Sequence, residues 1–363
     1  MLSRGDDYPL HQTAEPVAYA GTDRNFYDRY FFNGYAPTAG DRRMVAVAFG
    51  VYPHLDIADA HLSWLDGDRP VSLHASAHLG GERLAMRVGP IAVEVVEPLG
   101  RLRVTVDAPD KGMRAELGFT GRGAPIEEPR FTRRIGTRTL LDYTRLTQNG
   151  NYAGFVEVDG ARHDLGGFVG TRDRSWGVRP VGARDGQPPA AAPQFFWLWS
   201  PCVFGDGDLF WHTNDDEHGR PWNRRAVWLP TGGEERVTDA TVAIDWRPGT
   251  RAAARATLRI DGGEVAFTPA AEFMMAGIGY GHPRWAHGLD HGPLAVEREE
   301  WDVAGLDRRQ PHHFHIQTLS DVRWTEADGR RRDGRGVLEQ LAIGAHAPSG
   351  FAGLLDVAQG LSA

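Results

Sequence analysis

Arg101–Ala108 reads RLRVTVDA. Leu102, Val104 and Val106 fall on one side, while Arg101, Arg103 and Thr105 fall on the other. A side-chain period of two marks a half-buried β-strand. The same grammar extends both ways along the chain. Upstream lie MVAVAFGVY (44–52), DAHLSWL (59–65), VSLHASAHL (71–79), RLAMRV (83–88) and IAVEVVE (91–97); downstream lies MRAELGF (113–119). All run at ordinary strand length. The breaks between them carry turn chemistry at Asp66-Gly67, Gly80-Gly81, Gly89-Pro90 and Pro98-Leu99-Gly100. A further hairpin, Tyr152 to Leu165, turns at Asp159-Gly160.

Gly182 to Pro193, GARDGQPPAAAP, lacks an apolar pattern and reads as a linker. Beyond it the strands resume with QFFWLWSPCVF (194–204), DLFWHTN (208–214), WNRRAVWL (222–229), TVAIDW (241–246), ARATLRI (254–260) and EVAFTPAAEF (264–273). A glycine- and histidine-rich loop, Met274 to Gly292, precedes LAVEREEWDV, HHFHIQTLSDVRW and RGVLEQLAI. Asn25 to Tyr35, NFYDRYFFNGY, reads as a helical turn or an aromatic loop, and a helix is expected from Ser349 onward. The pattern predicts an all-β chain of two antiparallel barrels or sandwiches, divided at residues 1–185 and 186–363, with few short helices. A single large sandwich stays open, and no fixed short repeat suggests a propeller or solenoid.

Apolar residues make up 41% and charged residues 24% of the 363, which is ordinary for a soluble globular chain. A net charge of −8 argues against nucleic acid as a partner, because phosphate binding needs a basic face. Cys202 is the single cysteine, so no intrachain disulfide forms. The amino-terminal residues lack the apolar core of a secretory signal, and no apolar run suits a membrane span. A cytoplasmic location is expected, and a homodimer is compatible with the sequence.

The densest chemistry lies in Gly166–Pro180, GGFVGTRDRSWGVRP. Asp173 stands between Arg172 and Arg174, with Arg179 following. An acid among arginines is expected to stay ionised and held by charge-assisted hydrogen bonds. Two readings apply: an ion-pair lock, or the wall of a cavity. In QFFWLWS, Trp197 and Trp199 share a face opposite Phe196 and Leu198. That pattern fits core packing or a tryptophan-lined pocket. The next strand sets Leu209, Trp211 and Thr213 opposite Phe210 and His212. If His212 faces a barrel interior, it is a candidate proton donor or acceptor.

The histidines at 282, 287 and 291, and at 312, 313 and 315, invite a metal reading. Neither an H-E-x-x-H motif nor a cysteine cluster supports it, so no metal and no cofactor are expected. The chain also lacks G-x-S-x-G, a strand-bound G-x-G-x-x-G and a Walker A sequence, which argues against serine hydrolysis, hydride transfer and ATP chemistry. An acid–base set remains: Asp173, His212, Glu272, Tyr280 and His282, among 11 tryptophans. Acids in a dry aromatic pocket can protonate an alkene, and aromatic faces can stabilise a passing carbocation. Arg174, Trp176, Trp197, Trp199, Trp211, Tyr30 and Trp285 are the residues expected to touch the substrate.

Four stretches, NFYDRYFFNGY, RDRSWGVR, GIGYGHPRWAHG and GVLEQLAIGAHAPSGF, resemble a bacterial family in the superfamily of carotenoid 1,2-hydratase (hydroxyneurosporene synthase), kievitone hydratase and related cyclases. The D-x-S-W-G element of that resemblance is Asp173, Ser175, Trp176 and Gly177. The resemblance implies two packed lipocalin-like barrels that hold terpenoid-, polyketide- or steroid-like molecules. It further implies lyase or cyclase chemistry without an organic cofactor. The expected function is therefore an acid–base hydratase, dehydratase or cyclase on an apolar alkene or alcohol. Two alternatives stay open: a non-catalytic carrier of a hydrophobic small molecule, and a carbohydrate-binding protein whose tryptophans stack on sugars.

Overall fold

A computed structural model describes residues 7–8, 23–184 and 193–359. Most of the expected linker lies outside these residues. Among the described residues every regular helix is a single short 3₁₀ turn, and the strands form two nearly closed antiparallel barrels, as the alternation predicts.

In the first barrel the strands are ordered Leu294–Glu300, Arg69–His78, Ile57–Asp66, Met44–Tyr52, Phe26–Tyr35, Val169–Val178, Arg138–Val158, Met113–Gly121, Arg101–Ala108, Ile91–Glu97 and Arg87–Val88. In the second the order is Arg236–Thr238, Pro221–Pro230, Gly207–Asp215, Phe195–Phe204, Arg331–Ile343, Ile316–Thr325, Gly263–Met274, Ala253–Ile260 and Ala240–Trp246. The chain divides into two compact units, and two segments depart from a single cut at 185/186. Gly277–Trp301 belongs to the first unit and Pro37–Arg42 to the second. The first return is built by Leu294–Glu300, which adds to the edge strand Arg69–His78 with Glu297 opposite His74.

Each barrel is filled by one set of alternating side chains. Inside the first, Phe32, Val47, Phe49, Leu62, Trp64, Leu102, Val104 and Leu117 pack together. Inside the second, Phe196, Leu198, Leu209, Trp211, Trp228 and Trp324 do so. Burial of apolar surface at this scale is the main force for closure.

Three local expectations are corrected. Asn25–Tyr35 is no helical turn or loop, because Phe26–Tyr35 is a central strand paired on both sides. Its aromatic residues suit a pleated surface buried on both faces, and those neighbours override any helical turn. Second, the segment after Ser349 forms no helix through residue 359. There Arg251 takes the segment's carbonyls: its Nη2 donates to Gly353 O at 3.1 Å, and its side chain also grips Asp356. Side-chain bonds of this kind compete with a helix for the backbone groups.

The third correction concerns Arg172-Asp173-Arg174. Val169–Val178 is itself a strand, so its period of two sends both arginines to one face and Asp173 to the other. The flanking arginines therefore do not hold Asp173. Arg172 donates to Asp7 and to Gln148, and Arg174 donates to Asp28. These ions are fully buried in the first barrel, and Arg83 lies 4.0 Å from Asp28 as well. A buried charge keeps its place only when an opposite charge and hydrogen bonds offset its desolvation.

Asp28→Ala strips Arg174 and Arg83 of this carboxylate. Urea unfolding should show a loss of about 3–5 kcal/mol, while the paired change Asp28→Leu with Arg174→Met should cost much less. Equal losses in the two proteins would contradict the assignment.

Candidate functional site

The face of the first sheet that points away from the packed barrel interior is also buried, and it is polar. Arg29 from Phe26–Tyr35, Asp59, His61 and Ser63 from Ile57–Asp66, Ser72, His74 and Ser76 from Arg69–His78, and Thr171, Asp173 and Ser175 from Val169–Val178 are all under one-tenth exposed. Strict alternation along neighbouring strands puts them on one face. Part of this face is covered by the Gly277–Trp301 segment. A Cβ added at Gly277 would lie 2.8 Å from Ser72 Oγ and 3.0 Å from Ser63 Oγ, so glycine permits the close approach.

Arg29 is the centre of one half of the site. Its guanidinium lies 4.6 Å from the Tyr280 ring centre and 5.3 Å from that of Tyr27. Burial opposes its charge, but Tyr280, Tyr52, Tyr27 and Asp173 outweigh burial and raise its pKa. Asp173 also acts electrostatically on Arg145, which Glu128 holds at 2.6 Å and 2.8 Å.

Asp59 and the histidines form the other half. Asp59 Oδ1 accepts from the Tyr52 hydroxyl at 3.1 Å and faces His287 Nδ1 at 3.3 Å, while Oδ2 accepts from Gly288 N at 2.7 Å. Burial alone would raise this carboxyl, but His287 and His61 hold it well below the usual range. Burial, and then the Arg29 charge, lowers His287 to about 3. His61 Nδ1 lies 2.9 Å from His74 Nδ1, and burial first of all lowers His74 to about 4. Past His74 stands Glu299, 2.9 Å from His282 Nε2. Burial would raise Glu299, but His282 and His74 bring it to about 2. Trp285 stacks on His74 with ring centres 5.5 Å apart.

The expected site residues separate on this map. Asp173, Tyr280, His282 and Trp285 belong to the polar face or the segment that covers it. Arg174 and Tyr30 lie on the opposite, interior face, where the guanidinium stacks on the phenol at 4.3 Å, and Trp176 shares their register face. His212 and Glu272 belong to the second unit. His212 does not face that barrel's interior: it stands opposite Trp199, near Trp197, and pairs with Asn223 Oδ1 at 2.8 Å. Glu272 is engaged by Arg247 at 2.7 Å and Arg308 at 2.6 Å. Trp211 faces inward and, with Phe196, Trp246, Asp215 and His346, lines a cavity of about 440 Å³. Cys202 is buried, which pushes its thiol up to about 12.

Sequence reasoning passed over Asp59, His61, His74, Glu299 and Arg29. The available signal was alternation: Asp59, His61 and Ser63 are polar at every second position of a strand whose other face is apolar. It also passed over Glu339, although GVLEQLAI carried the resemblance. Glu339 accepts from Trp197 Nε1 at 2.9 Å and Gln317 Nε2 at 2.7 Å, and faces His315 Nε2 at 2.8 Å.

Two closed antiparallel sheets, one backed by a buried face of acids, histidines, tyrosines and arginine, define a two-barrel, lipocalin-like protein. The chain belongs to the family of unknown function DUF8625, whose model matches residues 2–352. No curated protein sequence matches it. Among solved structures it is similar to a protein provisionally described as AttH from Nitrosomonas europaea, with 15% identity, TM-score 0.54 and coverage of 92% of this chain and 97% of that one. Kievitone hydratase from Nectria haematococca has 12% identity, TM-score 0.52 and coverage of 92% and 97%. CghA, solved with Sch210972, has 11% identity, TM-score 0.50 and coverage of 93% and 95%. At these identities the likeness establishes the shared fold.

The network around Glu339 makes stability depend on pH. Burial would raise its carboxyl, but His315, Gln317 and Trp197 hold it below the ordinary glutamate range. A depressed carboxyl stabilises the fold above its unfolded pKa, and that contribution fades as pH falls through the folded value. Glu339→Gln should be less stable than the parent at pH 7, with the gap narrowing steadily below about pH 4.5 in thermal melts. A gap that is constant with pH would remove the charge from the explanation.

Proposed function

We propose that the protein is a lyase of the hydratase, dehydratase or cyclase kind, working by acid–base chemistry on an apolar terpenoid- or steroid-like alkene or alcohol. The observation that carries this reading is the buried polar face of the first barrel. A folded chain places Arg29, Asp59, His61, His74 and Asp173 in a dry environment only at considerable cost. Clusters of this kind gather where reaction chemistry needs them.

In this reading Asp173 is the proton-transferring carboxylate. Arg29 lies within electrostatic reach of it. Tyr280, whose ring lies against Arg29, supplies an aromatic face to a cationic intermediate, while His282 and Trp285 stand further along the same face, against His74. For hydration, the carboxyl proton moves to the alkene carbon, and water adds to the resulting cation with loss of one proton to the carboxylate. Dehydration runs the same steps in reverse. The names of the structural neighbours, a hydratase among them, support the reaction class. His212 and Glu272 have weaker support, because Asn223 and two arginines already engage them.

A carrier function is the second reading. It draws on the second-barrel cavity, whose walls combine Phe196, Trp211 and Trp246 with Val242 and Ile244. Aromatic and aliphatic walls interleaved with Thr213, Asp215, Arg224 and His346 suit an amphipathic ligand that is held unchanged.

The two readings part in one experiment. Purified protein is incubated with terpenoid alkenes and alcohols, and products are followed by mass spectrometry. Lyase chemistry predicts turnover that falls at least about 100-fold in Asp173→Asn with the melting temperature kept within a few degrees. Turnover undiminished by Asp173→Asn would remove Asp173 from the mechanism. For a carrier, ligand is recovered unchanged, its binding quenches tryptophan fluorescence, and Trp211→Ala abolishes that binding.

A further inference from the structure

The row Asp59, His61, His74, Glu299 is one positive charge short. His282 fixes the outer end. Its Nδ1 accepts from Arg284 N at 3.0 Å and Trp285 N at 2.8 Å. Its proton is therefore on Nε2 and is donated to Glu299 Oε2. Next inward, His74 Nε2 lies 3.4 Å from the same carboxylate oxygen. At the buried end, His61 Nε2 lies 3.7 Å from Asp59 Oδ1. Between them the two Nδ1 atoms, 2.9 Å apart, share one proton.

Two neutral imidazoles carry two protons in all. One is in the Nδ1–Nδ1 bridge, so one is left for two Nε2 atoms that each face a carboxylate. Whichever tautomer forms, a bare nitrogen lone pair is directed at an anionic oxygen. Both nitrogens are buried and neither makes a hydrogen bond of good geometry. A buried polar clash of this kind calls for a cation.

We propose that Asp59, His61 and His287 form a binding site for a divalent first-row transition-metal ion. Three features select a metal over an extra proton. First, ligand atoms of these three residues all lie within 4.8 Å of one another. Second, His287 Nδ1 and His61 Nε2 stand 3.3 Å and 3.7 Å from Asp59 Oδ1. Tetrahedral bonds of 2.0–2.1 Å would set neighbouring ligand atoms about 3.4 Å apart. Third, the outer partners are in place. His61 turns its other nitrogen to His74, which continues to Glu299, and Asp59 Oδ2 accepts from Gly288 N. Ligating histidines and carboxylates are commonly oriented by such outer bonds.

The glycine-rich segment fits the same purpose. Gly279 has φ of 90°, and a Cβ there would lie 2.8 Å from His61 Nε2 and 2.9 Å from His287 Cε1. Any other residue would collide with His61 Nε2 and the His287 ring. Two imidazoles and a carboxylate suit Zn²⁺, Fe²⁺ or Mn²⁺ better than Ca²⁺ or Mg²⁺, which take oxygen ligands. Arg29 brings opposing charge to one edge, so affinity is expected below that of a four-ligand structural zinc site. This site shares the buried polar face with Asp173 but takes no part in the steps assigned to Asp173, and its test needs no substrate.

The full chain is stripped with a chelator and titrated with Zn²⁺ by calorimetry and with Co²⁺ by visible absorption. One equivalent should bind, with Co²⁺ d–d bands of a nitrogen and oxygen site and a melting temperature raised by several degrees. His61→Ala and His287→Ala should each weaken binding at least 100-fold, and Gly279→Ala at least tenfold. The exposed His218→Ala should bind like the parent. If the stripped, folded parent takes up no Zn²⁺ or Co²⁺, the cation is a proton and the proposal is overturned. It is equally overturned if binding survives His61→Ala with His287→Ala, since the metal then sits on surface histidines. Should those variants fail to fold, the Co²⁺ spectrum of the parent decides: bands of water and carboxylate ligands alone count against the site.

Discussion

Strands buried on both faces leave their charged residues no route to water. This constraint governs the first barrel, because Phe26–Tyr35 and Val169–Val178 lie at its middle and carry ions on each side. Inside, Arg172 and Arg174 meet Asp7 and Asp28. Outside, Arg29, Asp173 and Arg145 act on one another and on a ring of phenols. The sheet thus separates two charge networks by one strand's thickness. The inner one is closed, each carboxylate spent on a guanidinium. The outer one sets carboxylates, imidazoles and phenols on one buried face.

The strand pattern was legible because period-two alternation is a local property. RLRVTVDA shows it in eight letters, and the structure buries Leu102, Val104 and Val106 as that pattern requires. NFYDRYFFNGY was not legible for the same reason reversed. Both of its faces are buried, so apolar and aromatic letters fill it without alternation, and the pattern could not tell strand from helix. RDRSWGV misled in another way. Charged residues at successive positions suggest mutual pairing, yet on a strand successive residues point apart, and the partners come from Asp7, Asp28 and Gln148, far away in the chain.

The candidate site was half legible. Tyr280 and His282 stand in a segment whose glycines and histidines drew attention by composition alone. What composition could not supply was their destination. Leu294–Glu300 pairs with Arg69–His78 across more than two hundred residues of chain, and that pairing brings Glu299 to His74. Without the register, Asp59, His61 and His74 are scattered polar letters in two short strands.

The register also explains why the spacing of the histidines carried no clear metal signal. A metal motif such as H-E-x-x-H is visible because both ligands come from one helix. Here Asp59 and His61 are two apart on one strand, which sets them on the same face, but the third group, His287, arrives on the covering segment. Nothing in the spacing between 61 and 287 records that meeting. Gly279 fits that meeting, because both its φ of 90° and the Cβ position 2.8 Å from His61 Nε2 favour glycine. The covering segment is therefore held to the sheet by its polar contacts as much as by apolar packing. Its Asp59 contacts, its stacked Trp285 and the added strand Leu294–Glu300 all act together, so a change that frees His287 from Asp59 should loosen the segment's hold on His74 as well.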